Sequence, residues 1–230
     1  MLLFPIQECA VQAATLISQR KLAEASELLV TIIKTLQDRK VELNDLDNSS
    51  TTMKLSDLQF LPVSRECKVV CPDWDEDFFC FPFAFFAPEG HTTDAVITDS
   101  LAMACSGTCL YMLGLCYHLS ARENDKCCPD AALRHASYFY GLAGNTLRKI
   151  FARDTLGDNG AAFLLMAIST NMASCCYDLG ELVAANRWLV SLNELLGACR
   201  LKEDTVTLDL HTFFMMTSTT TTGYAAAGAA

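Results

Sequence analysis

Along the first forty residues, apolar side chains recur every three or four positions. Ala10, Ala13, Ala14 and Ile17 make one set; Leu22, Ala25, Leu28, Leu29, Ile32 and Ile33 make a second. That spacing places each set on one side of a 3.6-residue helix, with polar residues on the other. The polar run Ser18–Lys21 between them reads as a tight turn, so residues 1–43 predict an antiparallel helical hairpin. The rhythm then stops. Asn44 to Thr52, NDLDNSSTT, is polar and aperiodic and reads as a flexible loop.

From Phe60 to Pro88 the pattern is extended. ECKVVCP, an acidic DWDED turn and FFCFPFAFF predict two strands, with Phe79, Phe81, Phe83 and Phe85 on one side of the second. Pro82 restricts that strand to a sheet edge or a bulge. A hairpin alone is marginal in water, so the Phe row must pack on helices. Residues 44–92 therefore read as a polar loop and a β-hairpin insert. Helical periodicity resumes near Thr98 or Asp99 and runs to Ala121. After RENDKCC, Pro129 suits the first position of the next helix. Asp154, Gly157 and Gly160 break the chain again, before a last pair over Ala161–Leu179 and Glu181 to about Cys199. Residues 93–201 thus predict two more helical hairpins, and the Thr- and Ala-rich end of 202–230 predicts a low-complexity, frayed tail.

Three helix-turn-helix units invite a search for repeats. In the third unit, Met172, Ala173, Cys176, Gly180, Leu182, Ala185 and Leu189 give a small residue in the first helix, Gly at the turn and Ala in the second helix. The second unit gives Leu113, Gly114 and Tyr117, and the first gives Ala13, Leu16, Leu22, Ala25 and Leu29. The order resembles the tetratricopeptide repeat over most of residues 7–40 and 100–200, with the third unit the most specific match. The insert and the long turn RENDKCCPD of the second unit depart from that family's 34-residue period. The layout also resembles a group of uncharacterised diatom proteins with a degenerate helical-repeat body, a YHLS-like helix end and an aromatic HTFFMM segment before an Ala-rich tail. The fold expected is mainly α: antiparallel helix-turn-helix repeats forming a short α-solenoid, with a small β-hairpin insert.

The resemblance implies a non-catalytic protein-interaction module, a scaffold or adaptor that takes a peptide or protein on its first helices. The corresponding positions are Thr108, Tyr111, Leu115 and His118 in the second unit, and Thr170, Ser174, Tyr177 and Asp178 in the third. Tyrosine offers large area with a polar tip, which suits a peptide. None of the eight is Lys, Arg or Asn, so the terminal-carboxylate ligand of the family's chaperone-binding members is not expected. A second reading stands beside this one: the insert covers the face and the tyrosines are core.

Composition narrows the partners. The 230 residues carry a net charge of −10 and lack a basic run, which argues against a nucleic-acid backbone as ligand. MLLFPIQECA has no basic n-region, and the longest apolar run, Phe78 to Ala87, is shorter than the roughly 20 residues of a membrane helix. A cytoplasmic or nuclear protein is expected, neither secreted nor membrane-bound. The exposed ends of a short solenoid make a homodimer conceivable.

Twelve cysteines are the remaining candidate chemistry. Without a secretory signal they read as reduced thiols, mostly small hydrophobes in helices. Cys175 and Cys176 stand about 100° apart on one helix and cannot converge on one ion. Cys105 and Cys109 face one way and, with His118 or His135, would suggest zinc, but the matching pair would be Cys67 and Cys71 in no known framework. Cys127 and Cys128, beside Lys126 on a loop, suggest a redox-sensitive pair. A thiol-rich metal- or redox-responsive protein is therefore the alternative function. No phosphate loop, G-x-S-x-G or H-E-x-x-H stands in the chain. No catalytic residue, resident metal or cofactor is expected.

Overall fold

The computed structural model describes residues 3–38, 55–63, 78–87, 98–123, 129–151, 160–198 and 210–218. Six long helices pair in sequence: α1 (Leu3–Ser18) with α2 (Leu22–Asp38), α3 (Asp99–Glu123) with α4 (Pro129–Ile150), and α5 (Ala161–Asp178) with α6 (Leu182–Ala198). Each helix also packs on the next in the chain, so α2 touches α3 and α4 touches α5. The result is a mainly helical array of three antiparallel pairs with a small two-stranded sheet.

The first and third pairs are built alike. The buried stripe of α2, Ala25, Leu29, Ile32 and Leu36, is matched in α6 by Ala185, Leu189, Leu192 and Leu196, each pair 160 positions apart. The turns match too. Arg20 and Gly180 adopt φ of 62° and 75°. Lys21 N–H reaches Leu16 O at 2.9 Å and Glu181 N–H reaches Cys176 O at 2.7 Å, the six-residue closure that ends a helix on a left-handed residue. Gly180 is the residue that conformation favours; Arg20 adopts it against its Cβ.

Small residues set how near the helices come. A Cβ on Gly114 would stand 2.8 and 2.9 Å from ring carbons of Tyr140 and 3.2 Å from Ala136 O, so α3 and α4 meet almost backbone to ring. Ala13, Ala173, Ala25 and Ala185 are all buried at the equivalent crossings. α3 and α5 are apolar nearly all round, and α5 buries every residue from Ala161 to Ala173. Such helices need cover on every side. α3 is also long and apolar enough to cross a membrane by length and composition, and its apolar surface is mostly buried against α2, α4 and the sheet.

The cover comes from the insert. After one 3-10 turn, Leu55–Asp57, strand β1 (Gln59–Pro62) pairs antiparallel with β2 (Phe83–Phe86), in the register Gln59 with Phe86 and Pro62 with Phe83. β2 lies on α1 and α3, and β1 touches α5. The strand expected at ECKVVCP falls outside the described residues; the strand that pairs lies earlier, at QFLP. Phe79 and Phe81 precede the ladder, and Pro82 sits just before it, its carbonyl accepting from Val63 N–H at 2.8 Å. Gly160, at φ 77°, caps α5 where Phe60 O would collide with any Cβ. Within the stretch read as a low-complexity tail, residues 210–218 form a further helix, α7, which buries Leu210, Phe213 and Phe214.

Candidate functional site

Phe78 to Ala87, whose strand spans Phe83–Phe86, runs across the first helices α5, α3 and α1 in turn. Ten extended residues reach about 30 Å, enough to cross three helices side by side. Each of those helices contributes a side chain that grips the segment by its main chain. On α5, Asn171 Oδ1 accepts from Phe79 N–H at 2.8 Å, while Asn171 Nδ2 donates to Phe79 O at 3.0 Å. On α3, Tyr111 donates its hydroxyl to Phe81 O at 2.8 Å and lies 3.4 Å from Phe79 O. On α1, Gln7 Oε1 accepts from Ala87 N–H at 3.1 Å. Helix side chains thus hold the main chain at Phe79, Phe81 and Ala87, on either side of the four residues that pair with β1.

The side chains of the segment fill aromatic seats. Phe78 stacks on the His118 imidazole, centroids 4.0 Å apart and planes 23° apart. Phe83 meets Tyr111 edge-on at 5.6 Å. Phe79 is enclosed between Phe83 and the α7 residues Phe213 and Phe214, at 5.7, 5.6 and 5.2 Å. Offset and edge contacts of this kind add to what burial alone contributes.

Beneath the segment lies a buried polar group. Asn171 Nδ2 also donates to Tyr140 Oη at 3.1 Å, and Tyr140 Oη lies 3.4 Å from His118 Nδ1. Cys175 Sγ stands 3.6 Å from the same nitrogen. A thiol beside an imidazole invites a reading as a nucleophile and its base. Burial decides otherwise: it pushes the Cys175 thiol up to about 12 and, helped by the Arg122 charge, lowers His118 to about 3. Both shifts oppose moving the proton from sulfur to nitrogen, so both groups stay neutral. Burial likewise holds Tyr111 and Tyr140 as neutral phenols, suited to donating hydrogen bonds. Among the described residues, His118 Nε2, beside Phe78, and Thr170 Oγ1 on α5 have no hydrogen-bond partner.

The eight positions expected to bind a partner divide sharply. Thr108, Tyr111, Leu115, His118 and Thr170 are buried, and Ser174 is partly so. The segment itself lies on two of the first five, Tyr111 and His118, and all five are buried, so the face is not an open groove. Tyr177, 49% exposed, and Asp178 stand at the accessible end. There Asp178 accepts from Arg122 at 2.9 Å, and Arg122 lies over the Phe78 ring at 5.6 Å. Asn171, Gln7 and Tyr140 escaped the sequence reading. The available signal was the polar trio Ser169–Asn171 in an otherwise apolar helix, since buried polar groups are held by specific partners.

The thiol chemistry considered from sequence does not assemble among the described residues. Cys105 and Cys109 are buried in α3, and desolvation raises both, Cys109 to about 12. His118 lies nine residues on, about 13 Å along the axis, and faces Phe78. His135, on α4, meets the Tyr117 ring of α3 at 5.2 Å with the planes tilted by 40°. No group of three or more metal-ligating side chains converges among the described residues. Cys67, Cys71, Cys127 and Cys128 lie outside them.

No family model matches this chain, and no curated protein or solved structure matches it either.

Proposed function

We propose that the protein is a non-catalytic interaction module, a scaffold or adaptor of tetratricopeptide-like design, whose first-helix face recognises an extended stretch of polypeptide. One observation carries the reading: α1, α3 and α5 each aim a side chain at the main chain of an extended segment. Main-chain recognition holds a chain in one register, while aromatic seats select its side chains. The buried, unactivated Cys175 and His118 argue against chemistry at this face. The described helix thiols, with burial raising those of Cys105, Cys109, Cys116 and Cys175, do not favour the metal- or redox-responsive alternative.

The test is affinity capture from source-cell lysate, comparing wild type with a Tyr177→Ala, Asp178→Lys double variant whose circular dichroism is unchanged. A partner retained by wild type and lost by the variant supports binding at this face. Equal recovery moves binding elsewhere on the molecule.

A further inference from the structure

We infer that Phe78 to Ala87 is an intramolecular ligand, occupying in cis the site meant for an extended, phenylalanine-bearing segment of a partner protein. The inference rests on the interaction-module reading and adds the class of ligand and the device that restrains its binding. Three observations carry it.

The first is the mode of attachment. Buried backbone groups must find partners, and Phe83–Phe86 find theirs in the ladder with β1. Here Phe79 and Phe81 lie outside the ladder, and their main-chain groups are taken by Asn171 and Tyr111 from helices far away in sequence. Asn171 binds both N–H and C=O of one residue, so it reads an extended main chain whatever side chain that residue carries. The second is the code. Phe79 and Phe83, two strand periods apart, are both buried in aromatic seats, whereas Phe81 between them is only partly buried. A partner would present aromatic side chains at the same four-residue separation in extended conformation. The third is an imperfect fit. With the segment in place, His118 Nε2, on the ring that Phe78 stacks against, remains buried without a partner among the described residues. An unpaired buried polar atom weakens a complex, so a ligand that offered a group to it would displace the internal one.

A tethered segment competes at high effective concentration, so the intact chain is expected to be a weak binder until the segment is loosened. The probe is a fluorescein-labelled peptide of residues 78–87 with serine in place of Cys80 and a lysine tail, titrated into the full chain by anisotropy. Phe79→Ala weakens the internal ligand and its packing on α7, while leaving the side chains of α1, α3 and α5 unaltered. This variant should bind the peptide at least tenfold more tightly than wild type, and adding Asn171→Ala should abolish that gain. Should Phe79→Ala fail to fold, Phe81→Ala decides, because its side chain is partly exposed and its loss is milder; the same direction is expected. A folded variant that binds the peptide no better than wild type overturns the inference. If that happens while Tyr177→Ala, Asp178→Lys still loses its captured partner, the interaction module stands and only the internal ligand falls.

Discussion

Truncating Asn171 removes the double bond that holds Phe79. The amide makes three buried hydrogen bonds, at 2.8, 3.0 and 3.1 Å, and Asn171→Ala deletes all of them. Tyr140 keeps a neighbour in His118 Nδ1, and Phe79 O keeps the Tyr111 hydroxyl at 3.4 Å. Phe79 N–H loses its acceptor. An orphaned buried group costs about 1–3 kcal/mol, and the small void adds about 1 kcal/mol more. The expected loss is about 2–4 kcal/mol, within a total stability of roughly 5–15 kcal/mol. Urea denaturation reads it as a lower midpoint at unchanged slope, by roughly 1–2 M for a slope near 2–3 kcal/mol/M. Asn171→Asp sharpens the test. A protonated carboxyl can accept from Phe79 N–H and donate to Phe79 O; an ionised one can only accept and buries a charge. Its native pKa should therefore rise above the usual value near 3.9, so its stability should be greatest below that pH and fall as pH rises through the window above it. A loss under about 1 kcal/mol for Asn171→Ala, with no pH trend for Asn171→Asp, would refute the clamp.

Three further outcomes follow from the packing. Gly114→Ala should destabilise by about 1–3 kcal/mol in the same urea assay, because its methyl meets the Tyr140 ring and Ala136 O, neither of which is free to yield. Arg20→Gly should raise the midpoint, by up to about 1 kcal/mol, by relieving the positive φ at the first turn; its ion pair with Glu123 is half-exposed and contributes little. His118, lowered from 6.5 to about 3 in the fold, stays neutral there while the unfolded chain takes up a proton. Wild-type stability should therefore fall as pH drops from about 6.5 toward 3, by at most about 1.4 kcal/mol per pH unit from this group. The His118→Leu profile should be flatter over that window, and parallel profiles would count against a buried neutral imidazole.

The helix pairs were legible because each buries one stripe, and a stripe writes its period into local sequence. Ala25 to Leu36 and Ala185 to Leu196 show this with the same spacing. The small residues Ala13, Gly114 and Ala173 were legible for the same reason, since close approach restricts residue size. What pairs with what was not. The Phe row suggested a strand, yet its ladder spans only Phe83–Phe86 and its partner QFLP is four residues long and includes a proline. α7 reads as tail because its flanks are Thr- and Ala-rich; its helix depends on Phe213 and Phe214 packing against Phe79, a tertiary effect. Asn171 acts on a residue 92 positions earlier in the chain, and no local pattern encodes such a contact. The alternatives left open for the inner tyrosines were divided by that same contact: the segment lies over Tyr111 and leaves Tyr177 exposed.

Native-state hydrogen exchange of the wild-type chain tests the central claim most directly, that Phe78 to Ala87 occupies a binding face and can leave it. Sub-global opening appears as amides that exchange well before the global unfolding reaction. The amides of Phe79 and Ala87, both held by helix side chains, should exchange as a group at a free energy below that of the α3 and α5 cores. Addition of the 78–87 peptide should leave the core helices unchanged and speed release of the segment's own amides. Exchange of Phe79 and Ala87 only with global unfolding, at the same free energy as Met112 and Ile168, would contradict the account and make the segment a permanent part of the core.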